Sequence, residues 1–247
     1  MIGEDGYFDE KVAAGYDDDE DIQESSAEDI EATVAFLARL VGEGRALEFA
    51  VGTGRIAIPL AHRGVQTSGI DLSRPMLARL RAKDPDGMVA TTIGDISTVR
   101  VDGSFRLVYL ICNTIMNLTT QEAQVACFRN AAAHLEPRGR FVIKVMVPEL
   151  RSVPPGETMQ VFDAGQKHWG IDEYDFAKQG LISHHYDRQG DGSFEPTSMP
   201  FRYVWPAELD LMAALAGMRL AERWEGWHRE PFTGESRKHV SVWERPA

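Results

Sequence analysis

Cysteine is scarce: two occur in 247 residues, Cys112 and Cys127. They have neither metal-ligand spacing nor the density of a disulfide framework, and read as free thiols in the reducing cytoplasm. No metal site is expected. Positive charge is also short, 26 Lys and Arg against 38 Asp and Glu, for a net charge of −12. No cluster of Lys and Arg offsets it, so the acidic surface repels phosphate backbones and nucleic acid is excluded as a partner. Long apolar runs are missing: nowhere do about 18 apolar residues follow one another, and no membrane span is expected. The opening residues Met1-Ile2-Gly3-Glu4-Asp5 have neither a basic nor an apolar region, so no secretory leader is expected. Internal repeats and low-complexity tracts are absent. What is present is a hydrophobic share of 43%, enough for a real core in one large domain or a domain with an insertion.

Residues 1–25 are polar and acidic. Within them the run Asp17-Asp18-Asp19-Glu20-Asp21 reads as a solvated tail, although Tyr7, Phe8 and Tyr16 are unusual in one. A helix is predicted from Ser26, with Asp29 in the capping-box position and Ile30, Val34, Leu37 and Val41 on one face. From residue 45 strands and helices alternate. Strands are predicted at 45–50, 65–70, 88–93, 105–111 and 140–147, with helices at 55–62 and after Ser73, where Pro75 suits the first turn. A further helix carries Phe128, Ala131, Ala132 and Leu135 on one face. This alternation predicts a mostly parallel sheet with helices on both faces. After Pro148 the pattern changes to short strands at 159–163, 169–176, 181–186 and 201–204, a small antiparallel insertion. A helix from Pro206, with Leu209, Met212 and Leu215 inward and its end near Gly217, precedes two closing strands at 219–227 and 238–243.

The most informative stretch is a strand, a glycine turn and a helix start: Ala46-Leu47-Glu48-Phe49-Ala50-Val51-Gly52-Thr53-Gly54-Arg55. Gly52 and Gly54 allow close approach of a ligand to backbone, and the helix start offers free N–H groups. Glu48 ends the first strand, Asp71 the second, in Gly69-Ile70-Asp71-Leu72-Ser73, and Asp95 follows the third, in Ile93-Gly94-Asp95-Ile96. The three acids thus meet at the rim where open α/β sheets bind ligands. Asp71 suits two ribose hydroxyls, and Asp95 suits an adenine amino group with Ile96 against the ring.

As an ordered set these segments resemble the motifs of class I S-adenosylmethionine (SAM)-dependent methyltransferases. Leu47 to Arg55 resembles the SAM-binding loop, Gly69 to Ser73 with Met76-Leu77 the second motif, and Gly94-Asp95-Ile96 the third. Phe105-Arg106-Leu107-Val108-Tyr109 resembles the strand carrying the fourth, and Leu135-Glu136-Pro137-Arg138-Gly139-Arg140-Phe141 the approach to the fifth strand. The likeness is strong over residues 30–148 and looser over 200–247. It implies a Rossmann-like α/β fold whose seven-stranded sheet is parallel except for one strand near the C-terminus, with a small antiparallel β insertion. It implies SAM as cofactor, S-adenosylhomocysteine as product, and a small-molecule acceptor of the natural-product tailoring kind. By the resemblance, Glu48 orients the loop and reaches the SAM amino group, directly or through water. Asp71 holds the ribose, with Leu72 and Met76 beside it; Asp95 and Ile96 hold the adenine; Cys112 and Asn113 lie beside the sulfonium. Residue 50 is Ala where the family has its first glycine, the smallest replacement, expected to keep a normal backbone. Tyr16 resembles a lid tyrosine that closes over the methionine end. An Asn-Pro-Pro-Tyr sequence is missing from the fourth region, which argues against methylation of DNA amino groups.

The expected organisation is an N-terminal lid segment at 1–25, a SAM-binding core at 26–148, a β-rich cover at 149–204 and the C-terminal part of the core at 205–247. Acceptor choice is expected in the cover. His168, His184 and His185 are the candidate catalytic bases, if one is needed, since positioning alone supplies much of the rate. Adjacent His184 and His185 must face opposite sides of a strand. Trp169, Tyr174, Tyr186 and Tyr203 are candidates for aromatic pocket walls, with core packing as their other use. Whether N, O or C is methylated stays open, as does a homodimer. Two other functions compete: a SAM-binding regulatory or scaffold protein without catalysis, and a nicotinamide dehydrogenase. The latter is disfavoured by Ala57 at the third glycine position and by Glu48 before the loop.

Overall fold

A computed structural model describes residues 7–17 and 26–247. It begins with a short helix, α1 (Glu10–Gly15), where the sequence suggests a tail; Asp9 caps it by accepting the Val12 amide hydrogen at 3.0 Å. Helix α2 (Ala27–Val41) starts on Ser26, whose hydroxyl accepts from the Asp29 amide at 3.1 Å, and buries Val34, Leu37 and Val41.

The core sheet holds β1 (Arg45–Phe49), β2 (Gln66–Asp71), β3 (Val89–Ile93), β4 (Phe105–Leu110) and β5 (Leu135–Met146). Helices α3 (Ala57–His62), α4 (Arg74–Lys83) and α5 (Gln121–His134) connect them. Helix α4 is capped by Ser73, which accepts from the Met76 amide at 3.1 Å. The chain then forms β6 (Met159–Ala164), β7 (His168–Asp175), β8 (Gly180–Arg188) and β9 (Phe194–Arg202). It returns through α6 (Pro206–Leu215), β10 (Arg219–Trp224) and β11 (Lys238–Glu244) to complete a seven-stranded sheet in the order β10-β11-β5-β4-β1-β2-β3. β11 pairs antiparallel with both of its neighbours, and the other described pairs are parallel. The expected fold is therefore the observed one, Rossmann-like with a single reversed strand.

Both faces of the sheet are covered. On β4, Leu107 and Tyr109 join the cluster under α2, while Val108 and Leu110 join that under α5 and α6. Burial on both sides is why this strand reads as a continuous apolar run rather than an alternation. One expectation fails on α6: Leu209, Met212 and Ala213 point inward, and Leu215 is 63% exposed. Leu215 lies six residues past Leu209, well off its face at 3.6 residues per turn.

Strands β6 to β9 form a separate antiparallel sheet in sequence order. The last strand is longer and earlier than the 201–204 expected. Pro196 and Pro200 argue against a strand there, but β9 is an edge with one neighbour, where a missing N–H is tolerated. Leu181 and Phe201 pack on the main core cluster, and this defines the inner face of the small sheet.

Candidate functional site

The loop after β1 is built from unusual backbone. Ala50, Gly52 and Gly54 all have positive φ, at 53°, 55° and 78°. Ala50 therefore does not keep the normal backbone expected of it; the loop imposes a left-handed conformation that disfavours a Cβ. The two glycines do different work. A Cβ on Gly52 would meet only the end of Met76 at 3.3 Å, so this side is open to a ligand. A Cβ on Gly54 would strike Leu80 and Ile58 at 2.8 and 2.9 Å, so Gly54 serves the close packing of α3 on α4.

The three acids lie at or after the C-terminal ends of the neighbouring strands β1, β2 and β3, each held differently. Asp71 is buried, and its two carboxylate oxygens accept from the Gly52 amide at 2.7 Å and the Ser73 amide at 2.8 Å. Burial raises its pKa while these amides pull it back. Glu48 is 3% exposed. Tyr109, its register partner on β4, donates to it at 3.0 Å. Burial pushes the Glu48 carboxyl up to about 8, against Tyr109 and the Arg55 charge. Asp95 is exposed and accepts from the Ser97 amide at 2.7 Å. Leu72, 46% exposed, and the buried Ile96 lie next to Asp71 and Asp95 in the chain.

The N-terminal segment straps this rim. Ser73 donates to the Phe8 carbonyl at 2.5 Å, and Tyr16 lies with its ring centroid 5.5 Å from the Arg55 guanidinium carbon. Burial holds the Tyr16 phenol well above its ordinary pKa. Asp17 accepts from the Thr53 hydroxyl and from Lys83, each at 2.5 Å. Asp17 is thus no member of a solvated tail, a correction to the sequence reading; residues 18–25 lie outside the described ones. Lys11 pairs with Glu195 on β9 at 2.6 Å, so α1 spans from the glycine loop to the small sheet.

Cys112 and Asn113 follow β4 in consecutive left-handed conformations, φ 56° and 61°. Asn113 turns its side-chain oxygen to the Met146 amide at 2.8 Å and ties the end of β4 to that of β5. Arg55 reaches the Cys112 sulfur at 3.5 Å.

The three histidines are divided between the two faces of the small sheet. His168 and His185 share the inner face of the small sheet, with His168 Nε2 3.0 Å from His185 Nδ1. His184 lies on the outer face against Ser198 at 2.8 Å and Glu173 at 3.2 Å. The aromatic walls are likewise divided. Tyr174 is on the inner face and Tyr203 is buried in the core, while Trp169 stacks on Phe194 and shares the outer face with Tyr186, its register partner. Arg55, Asp17, Thr53 and Tyr109 were not singled out from sequence. Only Tyr109 had a usable signal, its parallel register with Glu48.

A family model for a methyltransferase domain matches residues 46–139. The CcbJ methyltransferase from Streptomyces caelestis is 32% identical, with a TM-score of 0.85 over 96% of both chains. The cypemycin N-terminal methyltransferase of a Streptomyces species is 29% identical over 81% of this chain and 82% of its own. SAM-bound CalS10, an amino pentose methyltransferase from Micromonospora echinaspora, is 18% identical and has the same fold, with a TM-score of 0.68 over 98% of this chain and 99% of its own.

Proposed function

This chain belongs to the class I SAM-dependent methyltransferases, and we propose that it methylates an amine of a small natural-product acceptor. The observation that carries the acceptor class is the inner face of the small sheet, where Asp163, His168, His185 and Ser183 form one hydrogen-bonded cluster, with Asp172 the register partner of Ser183. Carboxylates there attract a protonated amine, and imidazoles accept its proton. Two relatives whose names specify an N-terminus and an amino sugar support an amine acceptor.

The residues fit the cofactor. The Asp71 oxygens, aimed by two amides, keep lone pairs for the ribose hydroxyls. Leu72 and Ile96 would flank the adenine, with Asp95 at its amino group. Met76 and the open side of Gly52 face the ribose and methionine chain. Glu48 would accept from the amino end, with Tyr16 closing above it and Cys112 and Asn113 beside the sulfonium. When bound, SAM supplies an activated methyl group. The protein's part is to hold the acceptor nitrogen in line with it and to exclude water. The described residues 7–17 act as the lid and 149–204 as the cover. Among the described residues no helix is long and apolar enough to cross a membrane. Neither Cys112 nor Cys127 is in a disulfide among the described residues, which fits a cytoplasmic setting.

The test is incubation with SAM and pools of small amines, alcohols and activated carbon acids, read by mass shift and by S-adenosylhomocysteine formation. Methylated amines support the reading; methylation confined to oxygen or carbon overturns it.

A further inference from the structure

The small sheet is joined to the core at two crossings of the chain, after β5 and after β9. The segment that follows β4 is hydrogen-bonded to both. At the first crossing, the Asn113 side-chain oxygen accepts from the Met146 amide at 2.8 Å. At the second, Ile115 lies in the short helical turn Thr114–Asn117, and its carbonyl accepts from the buried Gln124 side chain at 3.1 Å. The same Gln124 nitrogen donates to the Arg202 carbonyl at 3.1 Å, and the Gln124 oxygen accepts from the Arg202 guanidinium at 2.5 Å. One carboxamide in the first turn of α5 thus uses both its N–H groups and its oxygen at the junction between β9 and the turn beyond β4.

Arg202 fixes the other side of this junction. It donates to Glu208, in the first turn of α6, at 2.7 Å and to Gln179, in the turn between β7 and β8, at 3.1 Å. Gln179 donates to Glu208 at 2.8 Å and to the Tyr203 carbonyl at 2.9 Å, and Gln121 donates to Glu208 at 2.9 Å. Gln179 holds a left-handed φ of 56°, which a residue with a Cβ keeps only where its surroundings over-determine it. No buried side-chain nitrogen or oxygen of the five lacks a hydrogen-bond partner. Adhesion alone does not call for such groups, since well-packed apolar side chains often replace a buried ion pair without loss of stability. What a fully bonded network adds is a single permitted geometry.

Resting on the reading above, in which the sulfonium lies beside Cys112 and Asn113 and the acceptor beneath the cover, we infer that Gln124 and Arg202 are positioning residues that couple the seat of the cover to the turn after β4. The acceptor face and the methyl group are thereby held at one separation. Among the described residues, the Arg202 guanidinium bonds to Gln124, Gln179 and Glu208 and not to that turn, so it acts through Gln124. A shift of β9 that draws Arg202 away either breaks the Gln124 bonds or pulls Ile115 with it. A misplacement of about 1 Å can cost about 100-fold in rate, so little slack at this joint is enough to matter.

The test uses Cys112 as a reporter in the full chain without acceptor, with iodoacetamide as the probe and mass spectrometry to locate the label. Cys127 is buried on α5 and stays unlabelled while the fold is intact. Arg202→Lys and Gln124→Met should each change the rate of Cys112 alkylation by at least about fivefold. The Kd for SAM should stay within about threefold of the wild type. The double variant should match Gln124→Met alone, because both residues act through one link, whereas independent loosening adds. On an amine that the pools show to be methylated, each single variant should lose at least about tenfold in kcat, with a smaller change in KM. Wild-type alkylation in Arg202→Lys, or effects that add in the double variant, overturns the coupling. Altered alkylation with wild-type kcat in both variants overturns the positioning role. If Gln124→Met does not fold, Arg202→Lys decides by the same rates. A wild-type chain that methylates no amine defeats the amine reading instead, and the alkylation rates then decide the coupling on their own.

Discussion

The carboxylate of Asp71, at the end of β2, accepts the amide hydrogen of Gly52, in the loop after β1, at 2.7 Å. One side chain therefore shapes the glycine loop and, in the function proposed above, would also accept from the ribose. Charge-assisted hydrogen bonds of this kind contribute about 1.5–3 kcal/mol each at most. Asp71→Ala should weaken SAM binding by at least about tenfold, measured by calorimetry. Asp71→Asn, which keeps one acceptor oxygen, should fall between. Unchanged affinity in a folded Asp71→Ala variant removes this residue from the site.

Glu48 predicts a proton linkage. Its folded pKa of about 8 lies above the unfolded value of 4.5, so between these the folded chain binds a proton that the unfolded chain does not. Stability should therefore fall as pH rises from 4.5 to 8, and Glu48→Gln should remove that part of the slope. The ammonium group of SAM favours the carboxylate, so binding at pH 7 should release about one proton. Calorimetry in two buffers of different ionisation enthalpy measures it. Identical heats in both buffers, or unaltered release in Glu48→Gln, would exclude Glu48 as the source.

Ala50 carries a φ of 53°. Glycine at this position relieves about 1–2 kcal/mol of left-handed strain and costs about 0.4–1 kcal/mol through a freer unfolded chain. Ala50→Gly should raise stability by up to about 1.6 kcal/mol, a Tm gain of up to about 6 °C at this size. A lower Tm would mean that packing of the Ala50 methyl group on the core outweighs the strain.

His239 is fully buried on β11, with Nδ1 2.7 Å from Ser241 Oγ. Burial, helped by Arg223, lowers its pKa to about 3 from 6.5. In that window the unfolded chain binds the proton and the folded chain does not, so stability is lost as pH falls below 6.5. Urea midpoints at pH 5 and pH 7 should differ less for His239→Gln than for the wild type. An equal difference would show that acid sensitivity comes from other groups.

Much of the cofactor half was legible because its signals are local. The Ser26 and Ser73 caps, the glycine turn after β1 and an acid at the end of each of three strands are read within a few residues. Strand periodicity then brings those ends to one rim. Parity along β8 also required His184 and His185 to part.

Which of the two faced inward was not legible. It depends on how the small sheet docks on the core through Leu181 and Phe201, and on a bulge near Asp163 that brings that carboxylate to His168. Asp17 looked like solvated charge because its partner Lys83 is 66 residues away. Ala50 looked unstrained because its φ is set by loop closure against Asp71. Composition and spacing determined the family fold and the rim where the three acids end their strands, since short-range hydrogen bonding and hydrophobic periodicity specify them. Tertiary structure alone decided which side chains share the inner face of the small sheet, since long-range strand pairing determines which of them meet there.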